Sequence, residues 1–317
     1  MKSGLARRSR HASLSAGADE FPSRPVRILV GFTPGGGPDL TARQLAQKLG
    51  ELWKQQVIVE NRPGAGGTLA AAQVAKAAPD GYTLLSVSSA HAIAPAIYSS
   101  LPYDTLRDLS GITQTGSSKY VLVAAPSQGW KSLHDLLAAA KAKPGQINFS
   151  SAGVGSGTHF AGEIFKAMAG IDVVHVPFNG IPQALTETVT GRVHFFLAPI
   201  ANAVGPVREG RLLGLGVSMP ERDGLLPDVP TVDEAGVPGY KTDLWFGLLT
   251  SSAVPRPVIE KLNRDIVRML GEPDLKQRWS AVGIVPTPMS PEAFDSRVRE
   301  QIDVFTRFAR AANVKAD

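Results

Sequence analysis

The feature that most constrains this chain is a recurring order of segments. A short β-branched run leads into a glycine-rich turn, and the turn opens an amphipathic helical stretch. Residues 26–32 read as a buried strand, 33–39 (TPGGGPD) as the turn, and 40–53 as a helix with Leu45, Leu49, Leu52 and Trp53 on one stripe. The order returns as a strand at 57–60, a turn at 61–67 (NRPGAGG) and an alanine-rich helix at 68–78, closed by Pro79, Asp80 and Gly81. A third strand covers 82–87, and the polar run after it reads as loop as far as Pro102.

A second series starts with a strand at 120–124 and a helix capped by Ser132, with Asp135 placed three residues on as in a capping box. A strand at 147–150, the turn 151–158 (SAGVGSGT) and a helix from His159 to Ala169 repeat the order. Strands at 173–178, 193–197 and 212–218 alternate with helical stretches near 182–190 and 201–209. The last expected strand is 245–250; helices at 257–270 and 273–282 and one from Pro291, capped by Ser290, close the chain. Such alternation is an α/β fold.

Length divides that fold. A chain of 317 residues exceeds the usual single core, so two lobes are expected. Hydrophobic residues at 43% against 19% charged give enough apolar mass to fill them. The net charge of +5 is spread thinly outside a cluster of Arg7, Arg8 and Arg10, so no nucleic-acid partner is expected. With no cysteine there is no disulfide, thiolate nucleophile or cysteine-bound metal, and the redox compartment leaves no mark. No apolar run reaches the length of a membrane span. Residues 1–20 have a basic start and small residues around Ala16–Ala18, but the apolar stretch at 12–14 is too short for an export signal. They are expected to be a disordered tail or an incomplete signal outside the fold.

Three strand-to-helix turns, 33–39, 61–67 and 150–158, combine glycine with hydroxyls. A helix start offers unpaired N–H groups and the positive end of a dipole, so convergent starts make an anion site, whereas one glycine turn alone reads as a tight reversal. The turns at 33–39 and 150–158 hold no lysine or arginine, and neither GxxxxGK[ST] nor GxGxxG occurs. That favours a carboxylate over a nucleotide or phosphate. Asp39 is placed to cap its helix or to meet a ligand donor. The six histidines show no HxH or HExxH spacing and no serine sits in GxSxG, so no catalytic residue, metal or cofactor is expected. His159 and Glu163 read as a surface i, i+4 pair, His194 as a strand residue of the core, and His91 as the histidine to test at a site.

VRILVGFTPGGGPDLTARQLAQKL, VIVENRPGAGGTLAAAQVAKAAPDGYTLL, SAHAIAPAIYSSLPYD, FSSAGVGSGTHFAGEIF, VPFNGIPQAL and LPDVPTVDEAGVPGY with WFGLL follow in this order over about residues 21–310. This resembles the substrate-binding proteins of tripartite tricarboxylate transporters, the Bug receptors. The resemblance implies a two-lobed type II periplasmic binding-protein fold, a Venus flytrap, with lobe 1 at 21–123 plus 247–317 and lobe 2 at 124–246. It implies a periplasmic receptor for a small carboxylated solute, partnered with transporter membrane subunits, with monomer as the default state.

Carried over by motif, its ligand-binding residues are Thr33, Pro34, Gly35, Gly36, Gly37 and Asp39 with Ser88, Ser89 and His91 on one lobe. Facing them are Ser151, Gly155, Ser156, Gly157, Thr158 and His159, and the turn of Pro177, Phe178, Asn179 and Gly180. The chain departs from the family pattern at Pro38, Ala94, Asn179 and His194, where threonine, asparagine, lysine and aspartate are usual. The lost polar groups point to an aromatic or extended carboxylate. Two readings compete: an enzyme acting on an anionic metabolite in the same cleft, and a ligand sensor that docks on a receptor kinase.

Overall fold

The computed structural model describes residues 21–316; the expected tail or signal at 1–20 lies outside the described residues. In chain order the elements are β1 (Val26–Val30), α1 (Gly37–Trp53), β2 (Val57–Asn61), α2 (Thr68–Ala75), β3 (Thr83–Ser88) and α3 (Ala90–Ile97). Then come β4 (Leu109–Ala124), α4 (Leu133–Ala142), β5 (Asn148–Ser151), α5 (Gly157–Ala169), β6 (Val174–Pro177), α6 (Ile181–Val189), β7 (Phe195–Pro199) and α7 (Ile200–Arg208). β8 (Leu213–Val217), β9 (Asp243–Ser251), α8 (Arg256–Leu270), α9 (Pro273–Ser280), β10 (Ile284–Pro286) and α10 (Pro291–Ala312) complete the chain.

β1 lies between β2 and β3 and pairs parallel with both, β3 pairs antiparallel with β9, and β9 with the first part of β4, Leu109 to Lys119. From Tyr120 onward β4 changes partners and pairs antiparallel with β7 and β8, while β5 pairs parallel with β6 and β7. One long strand therefore threads both halves of the two-lobed fold. The strands are apolar on both faces because helices cover both: Ile28, Leu29 and Val30 are fully buried, as are Phe195, Phe196 and Leu197.

Local chemistry explains the helices. The expected capping box of α4 is present, Ser132 accepting from the Asp135 N–H while Asp135 accepts from Ser132. Ser290 caps α10, and Phe294, Val298 and Phe305 bury its inner stripe.

Three expectations change. The run after Ser88 is a helix, α3, despite Pro95, because Ala92, Ile93 and Ile97 gain a core with Phe294, Val298 and Phe305 of α10. The strand expected at 120–124 begins eleven residues earlier, at Leu109, because its glycines and hydroxyls are paired by β9. β9 is not the last strand, since β10 pairs with β4 at Ser117 and Ser118.

Candidate functional site

Five helices begin around one cavity. Gly36 and Gly37 at the start of α1, Ser88 before α3, Ser156, Gly157 and Thr158 at the start of α5, Gly180 and Ile181 at α6, and Pro199 before α7 all line it. The strands that feed these helices all end here, at the carboxyl edge where open α/β sheets hold ligands. Phe32, Thr33, Pro38, Tyr120, Ala152, Leu244 and Phe246 complete the wall, and among the described residues no acidic or basic side chain lines it. Its volume of about 40 Å³ holds a few waters. It shares Phe32, Thr33, Ala152 and Gly180 with a chamber of about 460 Å³, lined further by Gly64, Ala65, Gly66, Tyr98, Phe178 and Asn179.

The first turn is organised by Asp39. Its carboxylate is almost completely buried and accepts from the Gly35 N–H at 3.0 Å, from Asn61 Nδ2 at 2.9 Å and from Arg43 Nε at 3.1 Å. Burial works to raise this carboxyl, but the bonds from Arg43, Gly35 and Asn61 prevail and hold it below its usual range. Gly35 takes the left-handed φ of 90° that the reversal needs. Asp39 thus neither caps α1 as its N-cap, a position held by Gly36, nor lines the cavity.

The second turn is tied by hydroxyls and imidazoles. Ser156 Oγ caps α5 by accepting from the His159 N–H and lies 2.9 Å from Thr158 Oγ1, which accepts from the Ala152 N–H at 2.9 Å. Behind it, His159 Nδ1 accepts from the Gly155 N–H at 3.3 Å, and His175 Nε2 lies 2.6 Å from Ser151 Oγ. Burial lowers the imidazoles to about 4 for His159 and about 3 for His175, and raises the Glu163 carboxyl.

The turns approach one another closely. Asn202 Nδ2 donates to the Gly35 carbonyl at 3.2 Å, and a side chain at Gly180 would meet Thr33 Oγ1 at 2.1 Å. This is a closed cleft around its cavity.

Of the residues expected from sequence, the structure brings Thr33, Gly36, Gly37, Ser88, Ser156, Gly157 and Thr158 to the inner cavity, and Thr33, Phe178 and Asn179 to the outer chamber. Pro34, Gly35, Asp39, Ser89, Ser151, Gly155 and His159 line neither. His91 faces a separate space behind Phe32, and its imidazole is lowered to about 4 by burial. The pair of His159 and Glu163 is no surface pair: His159 is 4% exposed, because α5 packs against the sheet on that face. His194 precedes β7, and its Nδ1 lies 2.8 Å from Asn148 Oδ1. Sequence reasoning missed Tyr120, Leu244 and Phe246, which lie in or beside continuous apolar runs that read only as strands.

Residues 41–313 match the model of the tripartite tricarboxylate transporter family receptor. The chain belongs to that family. It is 32% identical to BugT of Bordetella pertussis over 300 residues, covering 94% of this chain and 92% of that one. Two solved structures superpose closely on this tripartite tricarboxylate transporter family receptor. MatC of Rhodopseudomonas palustris, solved with bound malate, has a TM-score of 0.86 at 32% identity over 91% of this chain and 99% of its own. Rpa4515 of R. palustris, solved with adipate, reaches 0.89 at 29% identity over 93% and 99%.

Proposed function

We propose that this chain is a periplasmic receptor that captures a small carboxylate, aromatic or extended in shape, and presents it to the membrane subunits of a tripartite tricarboxylate transporter without chemical change. The lobes would divide as residues 21–123 with 247–317 and residues 124–246. The observation that carries the reading is the convergence of five helix starts on one cavity that no acidic or basic side chain lines. Each start favours an anion by about 0.3–1 kcal/mol when exposed and more when enclosed. A multiply charged phosphate would call for arginine or lysine there.

The outer chamber supports the shape. Phe32, Tyr98 and Phe178 offer aromatic surface, with Asn179 a neutral amide among them. Binding proceeds by closure: a ligand that touches both halves only in the closed form shifts the population toward it.

The test is a thermal-shift screen of the purified protein against aliphatic and aromatic mono-, di- and tricarboxylates, with phosphates and sugars as controls. A ligand of the native state raises the melting temperature in step with its concentration over Kd. A selective rise with one carboxylate class and full recovery of the solute is the expected result. A rise with phosphates or sugars alone, or consumption of the solute, would overturn it.

A further inference from the structure

Tyr120 stands where the two halves of the molecule meet. It is the first residue of β4 to leave the pairing with β9 and join β7. Its side chain lines the inner cavity, and the residue is 1% exposed. The hydroxyl reaches the start of α5: a Cβ at Gly157 would stand 2.4 Å from Tyr120 Oη and 2.8 Å from Ser89 Oγ. Ser89 belongs to the turn between β3 and α3, so the phenol is wedged between site turns of opposite halves.

Among the described residues no partner meets the geometry of a hydrogen bond to this hydroxyl; the Ser89 hydroxyl stands beside it and works to lower the phenol, against the larger effect of burial. A buried donor left unmade is costly, and folded proteins seldom keep one without a use. Nothing in the packing needs it, since phenylalanine would fill the same volume. What the position offers is an O–H among the starts of α1, α3 and α5, where the enclosed field favours negative charge. Burial raises the phenol above its ordinary value, so it stays protonated and can donate.

We infer that Tyr120 is a specificity-determining residue whose hydroxyl donates to the ligand's head carboxylate at the floor of the closed cleft. The inference rests on the carboxylate-receptor reading and adds to it a strand residue from the crossover. Because the phenol touches turns from both halves, a carboxylate bonded to it is held only when the cleft is shut. Ligand capture and closure then share one bond.

The experiment is calorimetric titration of the full chain and of Tyr120→Phe with malate, adipate and benzoate, alongside thermal unfolding of both proteins without ligand. Unliganded Tyr120→Phe is expected to melt at or slightly above the wild-type temperature, because the group removed makes no hydrogen bond of good geometry. Every probe that binds the wild type is expected to lose affinity by the same factor, about tenfold to a hundredfold, the range of a hydrogen bond to a charged group. The tyrosine ultraviolet difference signal on binding should also shrink with the substitution, leaving only what Tyr98 of the outer chamber contributes. Unchanged affinity in Tyr120→Phe overturns the assignment alone, as does a loss confined to one probe, which would place the hydroxyl away from the shared carboxylate. Failure of the wild type to bind any of these probes, or the wider carboxylate screen, overturns both readings. A melting temperature that drops with affinity would identify a structural role and also overturn the assignment.

Discussion

The imidazole rings of His159 and His175 stack with centroids 4.0 Å apart, directly behind the turn that starts α5. One accepts from Gly155, the other bonds Ser151, so the pair clamps that turn from the side away from the cavity. Both rings are held neutral by burial, and two like charges so close would repel.

This predicts acid sensitivity well above the carboxylate range. Unfolded histidine takes up a proton near 6.5, whereas folded His159 and His91 do so only at about 4. Between these values the unfolded state binds more protons, so stability is lost as pH falls through the window and is level above it. The expected slope below about pH 6.5 is roughly 1.4 kcal/mol per pH unit for each such histidine. Denaturant melts at half-unit steps from pH 8 to 5 measure it. A flat profile would mean that the rings are charged in the fold.

Asp39 is predicted to organise its turn rather than touch the ligand. Asp39→Ala removes the acceptor for Gly35, Asn61 and Arg43 together. It should cost roughly 2–3 kcal/mol of stability, discounted for the half-exposed arginine. Asp39→Asn should retain part of that. Equal unfolding free energies for all three proteins would refute the role.

Thr158 allows a cleaner test of the second turn. Thr158→Val conserves shape but leaves the Ala152 N–H without its acceptor and removes a hydroxyl from the cavity wall. A loss of about 1–3 kcal/mol in unfolding free energy is expected, with weaker carboxylate binding. Full-strength binding by this variant would show that its hydroxyl is spent on the turn alone.

Pro38 marks a missing donor. As the second residue of α1 it lines the inner cavity and has no N–H, although its carbonyl still accepts from Ser86 Oγ at 2.9 Å. Pro38→Thr supplies an N–H and a hydroxyl where the positive end of the helix lies. Short dicarboxylates such as malate should then bind about tenfold tighter in titrations, the worth of one added hydrogen bond. No gain would indicate that the ligand sits beyond reach of this turn.

Much of the molecule was legible in the chain itself. Strand, glycine turn and helix follow one another in a local code, because 3.6-residue periodicity, capping serines and positive-φ glycines act over a few residues. The same code located the turns at 33–39 and 151–158 that begin α1 and α5 at the cavity. It also showed that neither of these turns carries a lysine or arginine.

Only the tertiary structure decided which side chains share that cavity. Phe246 and Tyr120 lie in runs that read from sequence only as strands, and they are buried; that they also wall the site depends on β9 and β4 pairing with each other far apart in sequence. Asp39 and His159 look like site residues beside their motifs, yet the folded turns spend them on Gly35 and Gly155. α3 forms around Pro95 because a partner helix two hundred residues later supplies its core. The physical reason is common to all three. Backbone preference is set by neighbours in sequence, whereas burial, hydrogen-bond partners and the face turned to a ligand are set by neighbours in space.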